Sequence, residues 1–192
     1  WNNNTNNQSL VVTTPGSYSV TVTDANGCSA TSTATVVTVN ALPTANAITG
    51  TTSVCVGSTT TLATTSLNPT WSTSNAAVAV VSATGVVTGV TAGTTTITYS
   101  MTNANGCSNT ASTTVTVNPL PTATIAIVGN TTFCQGGSVT LLAANAPAGS
   151  TYAYQWNLNG AAITGSTSAT YTANATGNYS VTVTNANGCS AT

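Results

Sequence analysis

A segment of about 80 residues is repeated along this chain, and the repeat limits what the chain can fold into. The turn "TNANGCSNT" at 102–110 has close copies at 23–31 and 184–192, and each copy carries one cysteine. The segment "VNALPTA" at 39–45 recurs as "VNPLPTA" at 117–123. A fixed period of this kind is typical of tandem arrays in which each copy is one structural unit. The chain is therefore predicted to be a row of similar modules.

The boundaries of the modules follow from placing the copies in register. Three tryptophans then take equivalent positions: Trp1, Trp71 and Trp156. Module one covers 1–40 and holds only the C-terminal part of a module, whereas module two, at 43–118, is complete. Module three covers 119–192 and lacks the last strand that residues 32–39 provide in module one. We expect the two incomplete modules to belong to a longer array.

The pattern inside each module has a period of two. The segments "SYSVTVT" at 17–23 and "NYSVTVT" at 178–184 alternate Val or Tyr with Ser or Thr, as in strands with one buried face. Asn-Gly pairs, the signal of tight hairpin turns, recur at 26–27, 105–106 and 187–188. Short strands punctuated in this way predict an all-β chain of tandem immunoglobulin-like β-sandwiches. The prolines of the "NALP" and "NPLP" linkers favour extended connections, so a rod is expected.

Two stretches of sequence carry a family resemblance. Residues 71–99, "WSTSNAAVAVVSATGVVTGVTAGTTTITY", resemble the group 2 bacterial immunoglobulin-like domain of intimin- and invasin-type adhesins. Modules one and three, with "CQGGSVTLLA" and "GNYSVTVTNANGC", resemble the immunoglobulin-like repeats of very large secreted surface proteins of Bacteroidota. The resemblance implies an extracellular, adhesin-like or filamentous setting.

The near-absence of charge excludes most chemistry. The chain has no Lys, Arg or His and a single acid, Asp24. General acid–base catalysis and the activation of a nucleophile both need a titratable partner, so we expect no enzyme. Phosphate contacts are built from Lys and Arg, so no nucleic acid is expected, and no metal or other cofactor is expected either. Asp24 replaces the asparagine of the sister turns and is interpreted as a turn residue.

Five aromatic residues are predicted to serve the fold. The tryptophans fall on the strand that faces the sandwich core, where an indole fills the space between the sheets. Tyr18 and Tyr179 follow a glycine at the start of the sixth strand, which is the position of a tyrosine corner. Module two is predicted to have Thr95 at that place. No apolar run approaches the ~20 residues that span a bilayer, so no membrane insertion is expected.

The five cysteines admit two disulfide schemes. The first joins Cys55 to Cys107 and Cys134 to Cys189 within modules, and the second joins one module to the next. Strand polarity places Cys55 at the bottom of module two and Cys107 at its top, on the order of 20 Å apart, too far for a disulfide. The second scheme is therefore favoured, with Cys55 bonded to Cys189. It leaves Cys28, Cys107 and Cys134 to pair outside this chain.

The function that these features favour is structural. We expect a repeat region of a large secreted cell-surface protein that forms a stalk, an adhesin shaft or an extracellular filament. Its partners would be neighbouring copies or further modules of the same chain. The alternative is a module that binds a surface glycan or a protein, and the aromatic-rich segment "APAGSTYAYQWNLNG" at 146–160 is its candidate site.

Overall fold

The computed structural model describes residues 1–144 and 151–192, and every regular element in them is a β-strand. In chain order the strands are Gly16–Tyr18 (β1), Thr21–Thr23 (β2), Ser29–Thr31 (β3), Thr35–Val37 (β4), Thr49–Gly50 (β5), Ser53–Cys55 (β6), Thr59–Ala63 (β7), Thr70–Thr73 (β8), Ala79–Val81 (β9), Val86–Gly89 (β10), Gly93–Thr102 (β11), Ser108–Asn118 (β12), Ile125–Val128 (β13), Val139–Ala143 (β14), Tyr152–Leu158 (β15), Ala161–Ala162 (β16), Thr170–Ala173 (β17), Tyr179–Asn185 (β18) and Ser190–Ala191 (β19). In the part of the chain that the structure describes, no helix has the length and apolarity needed to cross a membrane.

The chain divides into two compact units. Unit 1 comprises Trp1–Thr44 and Thr102–Asn109, and unit 2 comprises Ala45–Met101 and Thr110–Thr192. Most of module two and all of module three therefore lie in unit 2.

Module two is a sandwich of two sheets. One sheet has the strand order β5-β7-β10-β9 and the other has the order β6-β12-β11-β8. Both sheets supply the buried core, which consists of Val54, Leu62, Ala79, Val87, Ile97, Val115 and Val117. The alternation in β12 shows why the sequence folds this way, because Val115 and Val117 are buried whereas Thr114 and Thr116, on either side of Val115, are exposed.

Module three repeats the arrangement with fewer strands in its described residues. Its sheets have the orders β13-β14-β17 and β16-β15-β18-β19. The core between them consists of Val139, Leu141, Ala143, Trp156, Ala173, Val181 and Val183. The last strand, β19, is two residues long and pairs with Val183 and Thr184 of β18.

Unit 1 contains two short antiparallel pairs, β1 with β4 and β2 with β3. No residue in 1–44 is buried. The apolar side chains of this segment instead line an open groove of about 420 Å³, which includes Trp1, Tyr18 and Val37. A single pair of strands buries too little apolar surface to be stable alone.

The three tryptophans differ in burial. Trp156 is fully buried, and its indole N–H donates to the Ser168 carbonyl at 2.9 Å. Trp71 is half-buried against the module two core. Trp1 is half-buried, lies outside the strands of unit 1 and donates from its indole N–H to the Asn7 carbonyl at 2.9 Å.

The tyrosine hydroxyls reach back to the preceding backbone. Tyr18 donates to the Thr14 carbonyl and Tyr179 to the Ala175 carbonyl, both at 3.0 Å and both four residues upstream. This is the bond that defines a tyrosine corner.

The assignment of Thr95 to the corresponding place in module two is wrong. In module three Trp156 pairs with Val181, and Tyr179 lies two residues before Val181, opposite Leu158. In module two Trp71 pairs with Tyr99, so the residue two positions before Tyr99, Ile97, takes the place of Tyr179. Module two has two more residues between Gly93 and its Asn-Gly turn than module three has between Gly177 and its turn. Counting forward from the glycine therefore gave the wrong residue. Thr95 itself is buried and accepts the Asn75 N–H at 3.1 Å.

Tyr99 carries a polar link that the sequence did not signal. Its ring is fully buried beside Trp71, with ring centroids 5.4 Å apart. Its hydroxyl donates to the Asn46 carbonyl and lies 2.8 Å from the hydroxyl of buried Ser66. Tyr99 therefore connects the first segment of module two to the loop after β7.

Candidate functional site: a disulfide-linked junction

The most distinctive site in the described residues is the junction of modules two and three. On the module two side, β6 pairs in parallel with the end of β12, so that Cys55 lies opposite Asn118. The Val56 N–H donates to the Asn118 carbonyl at 3.0 Å, and the Ser58 N–H donates to the Cys55 carbonyl at 3.0 Å. These bonds fix Cys55 beside the last residue before the linker.

Close packing behind Cys55 depends on a glycine. A Cβ at Gly89 would lie 2.8 Å from the Cys55 carbonyl oxygen and 2.9 Å from a Val117 methyl. Side chains do not approach that closely, so only glycine lets β10 lie against β6 at this point. Gly89 is a supporting residue that neither the repeats nor the cysteine spacing pointed out.

On the module three side, Cys189 is held by its Asn-Gly turn. The N–H groups of Asn187 and Cys189 both donate to Asn185 Oδ1, each at 3.0 Å. The Asn185 N–H donates to the Cys189 carbonyl at 2.9 Å, and Gly188 takes a φ of +78°, which favours glycine. The turn thus presents the Cys189 side chain in one orientation.

A disulfide joins these two positions. The Cys55 and Cys189 sulfurs are 2.01 Å apart and the Cα atoms are 5.6 Å apart, within the usual range for a disulfide. Cys189 is 1% exposed, so the bond is largely shielded from solvent on that side. It closes a loop over a sequence separation of 134 residues.

The Asn185 side chain makes a second link across the same junction. Its amide Nδ2 donates to the Pro119 carbonyl at 3.0 Å, while its Oδ1 organises the turn. Because Pro119 is the first linker residue after β12, one side chain positions both Cys189 and the linker. The sequence showed the repeated asparagine but gave no sign of this bond.

The same arrangement recurs in unit 1. Asn103 Oδ1 accepts the Cys107 N–H at 3.0 Å, and Asn103 Nδ2 donates to the Ala41 carbonyl at 2.9 Å. The Cys107 sulfur lies 3.8 Å from the carbonyl oxygen of Asn40. Since Asn40 is the repeat equivalent of Asn118, Cys107 occupies the place that Cys189 occupies at the other junction.

Asp24 builds the third copy of the turn. Its Oδ1 accepts the N–H groups of Asn26 and Cys28, both at 2.9 Å. A carboxylate has no N–H to donate, so it cannot make the linker bond that the asparagine amides make. Asp24 is thus engaged as a turn residue.

The other cysteines remain thiols in this chain. Cys28 and Cys134 are exposed and Cys107 is partly exposed. Neither within-module pair of the first scheme, Cys55 with Cys107 or Cys134 with Cys189, is formed.

The aromatic segment at 146–160 lies partly outside the described residues, which resume at 151. Its three aromatic side chains all belong to β15 and pack against the module three core: Tyr152, Tyr154 and Trp156. Nothing in the described part of this segment presents an exposed aromatic ring to a ligand.

Comparisons with known proteins found one family model and several solved structures that are similar to parts of this chain. A family model for the PKD domain, which has an immunoglobulin-like fold, matches residues 122–192. No curated protein matches the chain. The structure of murine CEACAM1b is similar with a TM-score of 0.33 and 17% identity, over 73% of this chain and 93% of that one. The fibronectin(III)-like modules of Clostridium thermocellum CbhA give a TM-score of 0.39 and 13% identity, over 76% of this chain and 90% of theirs.

The chain is therefore an all-β protein of immunoglobulin-like repeats. Such domains, together with a disulfide, are typical of extracellular proteins. Among the described residues no group of three or more His, Cys, Asp or Glu side chains is placed to hold a metal ion.

Proposed function

We propose that this chain is a structural repeat region of a large secreted cell-surface protein, in which a disulfide fixes one module to the next. The shaft of a stalk, an adhesin or an extracellular filament is the role that fits. The observation that supports this most is the Cys55–Cys189 bond, because it runs from module two to module three and not within either.

In this role the chain would act by transmitting tensile force through the Cys55–Cys189 bond. A tensile force applied to the two ends of the chain passes through the sulfur–sulfur bond and bypasses the 134-residue loop that the bond closes. The residues of β7 to β18 lie inside that loop, so they need not unfold when the chain is pulled. A covalent bond resists forces that separate hydrogen-bonded strands, which is what a load-bearing shaft needs.

The composition supports a role without chemistry. With no His, Lys or Arg and a single carboxylate, Asp24, the chain has no paired acid and base and no cationic phosphate ligand, so we propose that it is not an enzyme and has no cofactor. The adhesin-type families that residues 71–99 and module three resemble are proposed as its relatives, and the extracellular surface as its location.

Equilibrium unfolding tests the structural role of the disulfide. In the chain-entropy description, closing a loop of this length stabilises a protein by about 5 kcal/mol. We expect the double variant Cys55→Ser, Cys189→Ser to lose up to about that amount in urea unfolding. Cys28→Ser, Cys134→Ser is the matched control, because it removes two exposed thiols and should leave the free energy of unfolding unchanged. Equal stability of the two double variants would refute the proposal.

A further inference from the structure

Module two has a recess beside Trp71. The recess measures about 200 Å³ and lies between β7, β8 and the turn that joins β9 to β10. Its lining includes Thr61, Leu62, Thr64, Pro69, Trp71 and Thr84. Both sheets of this module are formed, with the strands β5 to β12 in place, so the recess lies inside a finished sandwich.

The repeat shows what fills the equivalent space in module three. In module two the Leu62 N–H donates to the Gly85 carbonyl at 2.9 Å. In module three Leu141, the repeat equivalent of Leu62, lies opposite Tyr171, so Gly85 stands at the place of Tyr171. The Tyr171 ring stacks on Trp156, with ring centroids 5.7 Å apart and 29° between the planes. The recess is therefore the space that a tyrosine ring occupies in the sister module.

Gly85 cannot be replaced by a residue that fills this space. Its φ is +82°, a conformation that residues with a side chain rarely adopt. A Cβ at this position would overlap the Leu62 carbonyl oxygen and would lie 3.3 Å from Trp71 Cε2. The backbone of module two thus keeps a ring-sized space open against the indole.

The Trp71 side chain offers a hydrogen-bond donor at the edge of the recess. The indole N–H of Trp156 donates to the Ser168 carbonyl at 2.9 Å, whereas no described residue accepts a hydrogen bond from the indole N–H of Trp71. Cε2, the ring carbon nearest to Gly85, is bonded to that nitrogen. A polar group without a protein partner is satisfied by water or by a ligand, so this donor is available to a molecule in the recess.

The chemistry of the recess favours a sugar ring. Trp71 and Leu62 form an apolar wall, and three of the lining residues are threonines, whose hydroxyls both donate and accept hydrogen bonds. No charged side chain takes part, since the one acid of the chain is Asp24 of module one. A pyranose matches this surface, because its C–H groups carry a partial positive charge that the negative face of an indole attracts. Its hydroxyls can accept the indole N–H.

An aromatic side chain of another protein is the competing occupant, because Tyr171 shows that an aromatic ring fits. A second copy of this chain does not offer one, since all six of its tyrosines are buried or half-buried in their own modules. The volume also limits the occupant, because sites for drug-sized ligands measure roughly 300–1,000 Å³. One ring of a longer molecule is the size that fits.

We propose that the recess beside Trp71 binds one uncharged hexopyranose unit of a glycan. The sugar ring stacks on the part of the indole that corresponds to the surface covered by Tyr171 in module three. The indole N–H donates to a sugar oxygen, and the threonines at the rim bind the sugar hydroxyls. This binding function is additional to the load-bearing role of the disulfide and does not depend on it.

The test is an NMR titration of the whole chain, in which each tryptophan gives its own indole N–H signal. The probes are the methyl glycosides of glucose, galactose, mannose and N-acetylglucosamine, each raised to about 100 mM, because a ligand of one ring should bind with a dissociation constant of about 1–10 mM. At least one glycoside should shift the Trp71 signal to saturation and leave the signal of buried Trp156 in place. N-acetyltyrosinamide is the probe for the competing occupant.

A matched pair of double variants tests the rim. Thr61→Val, Thr84→Val keeps the shape of the recess and removes two hydroxyls, so it should weaken binding by about tenfold, the loss expected for two hydrogen bonds. Thr114→Val, Thr116→Val makes the same substitutions at exposed positions of β12 outside the recess and should leave the affinity unchanged.

Trp71→Phe tests the indole. It removes the N–H donor and part of the stacking surface, so it should weaken binding by about tenfold or more. An unchanged Trp156 signal would show that the variant is folded. The proposal is overturned by a Trp71 signal that no glycoside moves, by movement with N-acetyltyrosinamide alone, or by equal affinity of the two double variants.

Discussion

At the scale of single residues, hydroxyl and amide groups occupy the places where most proteins have charges. The hairpin beside each repeated turn has a hydroxyl pair across its strands: Thr21 with Thr31 at 2.7 Å, Thr102 with Ser108 at 2.8 Å and Thr184 with Ser190 at 2.8 Å. Cross-strand pairs of this kind stabilise a sheet by fractions of a kcal/mol each. Their recurrence explains how the outer face stays hydrated in a chain with one acid and no base.

Asn185 is the residue whose replacement tests this description of the junction. Asn185→Ala removes the acceptor for two backbone N–H groups and the donor to Pro119, so we expect it to cost about 1–3 kcal/mol in urea unfolding. Asn185→Asp is the matched variant, because Asp24 shows that a carboxylate keeps the turn bonds. It should cost less than the alanine variant. Equal losses would mean that the turn bonds contribute nothing to stability.

At the scale of elements, the close approach of β10 to β6 decides how Cys55 is presented. β6 is three residues long and is held by the end of β12 on one side. The Gly57 N–H also donates to the Gly89 carbonyl at 2.9 Å, which links the turn after Cys55 to the end of β10. The disulfide therefore depends on the packing of two sheets and not on the cysteines alone.

Gly89→Ala tests that dependence. The added methyl group would overlap the Cys55 carbonyl and Val117, and we expect it to cost about 1–3 kcal/mol, as overpacking does elsewhere. It should also raise the fraction of Cys55 and Cys189 that reacts with a thiol reagent in a glutathione buffer. Gly16→Ala is the control, since its Cβ would meet only the Tyr18 ring, at 3.5 Å. An unchanged thiol reactivity in Gly89→Ala would contradict the role given to this packing.

Elements with a strong repeat signal were the predictable part of the fold. The alternation of Val or Tyr with Ser or Thr at 17–23 and 178–184 predicted the strands β1, β2 and β18, and the all-β sandwich is confirmed. The position of Thr95 could not be read correctly, because two extra residues in β11 shift the register without altering the alternation. The linker bonds of Asn103 and Asn185 and the role of Gly89 depend on contacts between distant segments, which local sequence does not encode.

At the scale of the whole molecule, we propose that tensile force passes through the Cys55–Cys189 bond. The chain has 192 residues, and the bond closes a loop over a separation of 134. At ~3.5 Å per extended residue, the loop holds back ~470 Å of the ~670 Å that the chain would otherwise reach. The length of chain that the disulfide holds back is therefore many times the length of any single strand.

The direct measurement is single-molecule stretching of the chain between marker domains, with and without a reductant. We predict a full extension of ~200 Å under oxidising conditions and ~670 Å after reduction, a gain of ~470 Å. The variant Cys55→Ser, Cys189→Ser should show the longer extension without a reductant, and Cys28→Ser should behave as the unaltered chain. An extension of ~670 Å under oxidising conditions, unchanged by a reductant, would contradict the claim that this bond carries the load.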